Sequence, residues 1–138
     1  MEKILNSLKK YSPMILRVGM AIVAIWFGTQ ELLNPGVWTG YIPESIVNIT
    51  NMNANLLVNL NGAFEVIFGL ALFFGIKTRI TAMLLMIHMF DITYIVGYNA
   101  LGIRDLGLAF GLLSVFMYGP SLISFDIFKE KTTNSVVV

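Results

Sequence analysis

"MLLMIHMFDITYIVG", residues 83–97, is the stretch on which the fold turns. It is an apolar run that holds the chain's only histidine, His88, and an aspartate three residues later, Asp91. Both are expensive among Met, Leu, Ile and Phe unless they find partners. What they do depends on the solvent around the segment, and composition identifies that solvent. Of 138 residues, 57% are hydrophobic and 12% charged, with a mean hydropathy of +0.77. A soluble domain carries about 25% charged residues, so this chain could not clothe its surface in water. The net charge of +1 offers no basic field for nucleic acid. The absence of cysteine removes disulfides and thiolate metal sites from this chain. The length suits one domain.

Four apolar segments approach the ~20 residues that a helix needs to cross the hydrocarbon core: residues 13–33, 55–75, 79–97 and 104–124. In lipid each backbone polar group needs an internal partner, so these segments are helices. The expected fold is all-α, an integral membrane four-helix bundle in one domain, with a long loop over residues 34–54 and a flexible tail over 129–138. The first segment is too long for a signal-peptide core and is followed by Gln30, Glu31 and bulky residues, so it is read as a retained helix. Lys3, Lys9, Lys10, Arg17, Lys77, Arg79, Lys129 and Lys131 fall on one side and only Arg104 on the other. By the positive-inside rule both termini are then cytoplasmic and the chain is a multi-pass protein of the cytoplasmic membrane. The outer loop carries Trp38 and Tyr41, suited to an interfacial belt, and Pro43 starts a short helix lying on the surface with Ile42, Ile46, Val47 and Ile49 toward lipid. Asn48-Ile49-Thr50 matches a glycosylation acceptor, but three residues match easily by chance.

Counting residues along the spans places Glu65 and His88 at similar mid-depth, with Asp91 one turn further out and Glu31, Arg104 and Asp105 near the outer boundary. His88 and Asp91, spaced i,i+3, share a face that Tyr94 and Tyr98 extend. Asn61 and Glu65, spaced i,i+4, share another, with Gly62 and Gly69 beside them for close helix approach. Trp26 and Gln30 form a third. An ionisable side chain facing lipid at the bilayer centre costs at least ~2.5 kcal/mol on insertion scales. These faces are therefore expected to converge, with His88 and Asp91 directed toward Glu65 and Arg104. The expected polar cluster is Glu31, Asn61, Glu65, His88, Asp91, Arg104 and Asp105.

One histidine is too few for a paired Glu-x-x-His di-iron site or a multi-imidazole copper site, so no metal is assigned, and the eight methionines read as packing. Three uses of the cluster stay open. It could hold the helices in register, relay protons, or bind a quinone with His88 on a carbonyl and Phe64, Phe90 and Tyr94 around the ring. Arg17 reads as a side chain snorkelling to the interface. Gly102, Gly107 and Gly111 read as helix-contact positions and Gly119-Pro120 as a kink or a stop.

Three stretches carry a family resemblance: "ILRVGMAIVAIWFGTQELLNP" (residues 15–35), "EVIFGLALFFGIKTR" (65–79) and "RDLGLAFGLLSVFMYGPSLISFD" (104–126). In this order they resemble the DoxX family of small four-helix membrane proteins. The resemblance marks Arg17, Glu65, Arg79, Arg104, Asp105 and Asp126 as family positions. Glu31 stands where members commonly have a lysine, which removes any ion pair that lysine would make. His88 and Asp91 belong to no motif that carries over. The resemblance implies a subunit of redox complexes linked to sulfur and quinone metabolism, and the chain itself has no nucleotide-binding loop or self-contained catalytic motif. The expectation is an accessory subunit of a larger membrane oxidoreductase, not an enzyme alone. Its partners would be the lipid bilayer and other membrane subunits, with a homo-oligomer as a further option and no nucleic acid. The alternative is a quinone-binding or proton-relay subunit, quinone being the only cofactor that reading would bring. A small transporter fits less well, because there is no internal repeat.

Overall fold

The computed structural model describes residues 1–136, and Val137 and Val138 lie outside it. Seven α-helices follow one another: α1 (Glu2–Leu33), α2 (Pro35–Trp38), α3 (Glu44–Thr50), α4 (Ala54–Phe74), α5 (Thr78–Val96), α6 (Ala100–Tyr118) and α7 (Phe125–Val136). A 3-10 turn at Thr39–Tyr41 joins α2 to the segment before α3, and there is no strand among the described residues. Stretches of α1, α4, α5 and α6 are long and apolar enough to cross a membrane. The chain is an all-helical membrane four-helix bundle.

Several boundaries differ from the sequence reading, each for a local reason. The first helix begins at Glu2 and not near Pro13, running 32 residues straight through that proline. A proline removes one donor and strains the turn before it, but here the helix-forming residues on both sides carry the helix through. The fourth span begins at Ala100, ahead of Arg104, because the Asn99 side chain accepts from the N–H groups of Leu101 at 2.9 Å and Gly102 at 3.1 Å. It stops at Tyr118, where Gly119 turns left-handed at φ 85°, so Gly119-Pro120 is a stop and not a kink. The tail expected to be loose from residue 129 is helical to Val136. The long loop is itself mostly helical, and the short helix expected after Pro43 is α3.

Packing makes two intimate pairs, α1 with α4 and α5 with α6, which meet through looser contacts of α4 with α5 and α1 with α6. Small side chains explain the first pair. Gly28 of α1 lies against Gly62 of α4, and Ala21 lies against Gly69. A methyl on Gly28 would stand 2.6 Å from the Gly62 carbonyl oxygen, and one on Gly62 equally close to that of Gly28. Helices in lipid gain stability from such backbone proximity rather than from expelling water. Gly69 likewise lies against Ile25 and Gly111 against the Met20 thioether, whereas Gly107 has open space beside it and is no contact position. The core where the pairs meet holds Leu72, Leu85, Met89, Ala109, Leu112 and Val115.

Candidate functional site

At the end of the bundle that carries α2 and α3, hereafter the loop end, the structure places six polar side chains: Glu31, Asn61, Glu65, His88, Arg104 and Asp105. Asn61 Nδ2 donates to Glu31 Oε2 at 2.6 Å, tying α4 to α1. One turn deeper, Glu65 Oε1 lies 3.7 Å from His88 Nε2 across the α4–α5 contact. Glu65 is 3% exposed and Asp105 1% exposed. Arg104 reaches back to its neighbour Asp105 with both Nε and Nη2 at 2.6 Å from Oδ1, and its guanidinium lies 3.9 Å over the Phe27 ring. His88 stacks on Phe64 with centroids 4.5 Å apart. These groups border a cavity of about 90 Å³, walled by Glu31, Asn61, Glu65, Arg104 and Asp105 and by apolar side chains. Trp38, Tyr41 and Ile42 of the α2–α3 segment roof it, with Trp38 edge-on to Phe27 at 6.0 Å. Three buried side-chain atoms in or beneath this cavity have no hydrogen-bond partner: Glu65 Oε2, Asp105 Oδ2 and His88 Nε2.

Other expected members are elsewhere. Asp91 and Tyr94, the latter at 88% exposure, stand on the outside of α5, and Tyr98, past the end of the helix, is 94% exposed. Their face points away from the bundle. The reason is helical drift: an i,i+3 step falls about 60° short of a full turn. From the core residue Leu85, His88 is still inward-facing, Asp91 has left the interior and Tyr94 points the opposite way. Trp26 is also turned outward, at 62% exposure, because it stands opposite Ala24 and Gly28. Phe64, Phe90 and Tyr94 do not surround a common site, since Phe90 pairs with Phe110 at 6.0 Å and Tyr94 is exposed. Arg104 pairs with Asp105 rather than with Asp91. Among the described residues no three His, Asp or Glu side chains converge in a way that could hold one metal ion.

A second polar assembly, at the opposite or basic end, joins residues that the sequence left apart. Arg17 does not snorkel: it is 2% exposed. Its Nη1 donates to the carbonyls of Leu72, at 2.5 Å, and of Phe73. Nη2 donates to Ile123 O at 2.5 Å and Nε to Ser121 Oγ at 3.1 Å. One guanidinium thus closes the open carbonyl end of α4 and binds it to the strap after α6. The neighbouring turn places Gly75 at φ 67° and Lys77 at φ 45°. Lys77 stands at the N-cap of α5 and has no acceptor to offer, so the cap arrives from α7. Asp126 accepts from Lys77 N and Thr78 N at 2.7 Å and from Thr78 Oγ1 at 2.8 Å. Burial alone would raise the Asp126 carboxyl; these hydrogen bonds and the Arg17 charge outweigh it and hold the group below its ordinary value. Arg79 donates to Phe116 O and Tyr118 O at 3.4 Å, at the carbonyl end of α6. Arg17, Arg79 and Asp126 therefore terminate helices, whereas Glu65, Arg104 and Asp105 build the cavity. Sequence reasoning missed the first role because most of the partners are backbone groups, which no side-chain pattern reveals, and the side-chain partners Ser121 and Thr78 lie far away in sequence.

No curated protein and no solved structure matches the chain. The DoxX family profile matches residues 12–97, from the first turn before Pro13 to the end of α5, and so takes in Arg17, the Gly28–Gly62 contact, Glu65 and the Lys77–Arg79 turn but not α6 or α7. That span exceeds half of the chain and coincides with three of its four membrane helices, and the chain therefore belongs to the DoxX family.

Proposed function

We propose that this DoxX protein is an accessory subunit of a larger membrane-bound oxidoreductase, with its basic end in the cytoplasm. The observation that carries the reading is the outward face of α5. Asp91 stands exposed there five residues before the end of the helix, with Tyr94 and Tyr98 beyond it. A carboxylate on a lipid-facing surface is unfavourable even partway to the interface, and a neighbouring helix with a donor or cation at that depth removes the penalty. The broad apolar exterior, including Trp26, Ile67, Phe110 and Met117, leaves ample area for partner helices. The redox nature of the partner rests on the family resemblance, and the crowding of Lys and Arg at one end supports the orientation.

The test is extraction from native membranes in mild detergent, with identification of what co-migrates. Stoichiometric association with oxidoreductase subunits, weakened by Asp91→Leu while the protein still folds, is the expected result. Migration alone, or association indifferent to Asp91, overturns it. A proton relay through the loop-end cluster is a second reading, favoured by the approach of His88 to Glu65. It requires that Glu65→Gln lower turnover of an intact complex and shift its pH dependence, whereas an accessory role alone leaves turnover per complex unchanged.

A further inference from the structure

The loop-end cavity has a chemical bias that neither packing nor a quinone ring explains. Its wall carries three carboxyl groups, Glu31, Glu65 and Asp105, against one guanidinium, Arg104. Arg104 directs its Nε and Nη2 at a single oxygen of Asp105, and Asn61 directs one N–H at Glu31, so neither is aimed at Glu65. The buried atoms of the wall that lack a partner are both acceptors, Glu65 Oε2 and Asp105 Oδ2, on two side chains almost wholly buried. His88 stands beneath the wall at 3.7 Å from the other oxygen of Glu65 and does not reach Oε2. A buried acceptor left without a donor costs about 1–3 kcal/mol, more when charged. The complement of this wall is a group that is cationic and donates hydrogen bonds in several directions.

We infer that the cavity binds a small organic ammonium ion. A bare metal ion needs ligands converging on one point, and the described acidic side chains do not converge in that way. An alkylammonium presents three N–H donors in different directions, enough for both unpaired oxygens of Glu65 and Asp105. At about 90 Å³ the cavity is smaller than the roughly 150 Å³ that accepts benzene, so a short alkylamine fits where an aromatic head group does not. Trp38 and Tyr41 in the roof offer apolar surface to the alkyl end.

The experiment uses the full-length protein in lipid nanodiscs, with ethylammonium chloride as the probe and sodium chloride at equal concentration as the reference. Calorimetry is expected to detect saturable binding of ethylammonium, and the thermal midpoint is expected to rise with its concentration, as for any ligand that binds the folded state. Glu65→Gln should weaken binding at least about tenfold, because a desolvated charge pair is lost. Glu31→Gln keeps a carbonyl oxygen for Asn61 and serves as a second variant with a folded bundle; it should weaken binding severalfold. Ser114→Ala, exposed on α6 away from the cavity, should leave binding unchanged. The inference is overturned by the absence of a saturable response, by sodium acting as strongly as ethylammonium, or by undiminished binding in both cavity variants.

Discussion

Asp126 is a side chain whose surroundings choose its charge. Three hydrogen bonds aimed at its two oxygens favour the carboxylate, as does Arg17. The folded-state pKa is depressed, so the unfolded chain binds this proton more readily, and the stabilisation is complete above the unfolded value of about 3.9. It is lost as pH falls through the lower, folded value. Asp126→Asn is accordingly expected to melt earlier than the native chain at neutral pH, and the gap should close under strong acid; melting curves across that range check it. A constant gap would mean the carboxylate charge does not matter to the cap. At the same scale, Glu65, Asn61, His88 and Glu31 could be read from spacing because each stands within a step of a buried position. Asp91 could not, because a shared i,i+3 face says which residues are neighbours and not which way the face points.

Between α1 and α4 the contact is made by what is missing from the side chains. Gly28 and Gly62 let two backbones touch, and that proximity positions Glu65, whose Cβ would stand 2.8 Å from a methyl placed on Gly28. Gly62→Val must push the helices apart, an overpacking penalty of about 1–3 kcal/mol. The expected result is a lower thermal midpoint together with loss of the Asn61–Glu31 hydrogen bond. Infrared spectroscopy of the carboxyl and amide bands in isotope-labelled protein can follow that bond, and a variant with native midpoint and native bands would show that the close approach is dispensable. The pairing itself was half legible: the small residues marked α4 as a contact helix, yet nothing in the pattern separated Gly107, which touches nothing, from Gly111, which meets Met20. Helix ends were legible where an Asn caps its own helix, as at Asn99, and hidden where the cap comes from 48 residues away, as with Asp126 over Thr78.

For the whole molecule, the four-span architecture was readable because lipid imposes length and apolarity so directly. The clamp at the basic end was not, since it is built mainly from backbone carbonyls that every sequence has, with Ser121 as its one side-chain partner. Sidedness is open to a direct check. The chain lacks cysteine, so a single Lys131→Cys on α7 or Asn48→Cys on α3, both at exposed positions, is the sole thiol in its variant. In intact cells an impermeant maleimide is expected to label the Asn48→Cys variant and to reach the Lys131→Cys variant only after the membrane is opened. The reverse pattern would invert the orientation.

Arg17 also sets a constraint on how the protein is made. It belongs to α1, but Ser121 and Ile123, which it binds, are 104 and 106 residues later in the chain. At ordinary synthesis rates that is a wait on the order of ten seconds for the guanidinium, and even the Leu72 and Phe73 carbonyls, 55 and 56 residues on, are made only about halfway through it. The insertion machinery, or water at the lipid headgroups, must shelter it meanwhile. Ribosomes that stall before residue 121 would release a bundle with its first helix unsecured, a ready mark for membrane quality control. Closure of the clamp thus waits for residues 121–123, so the arginine acts as a timer that reports when translation has passed α6.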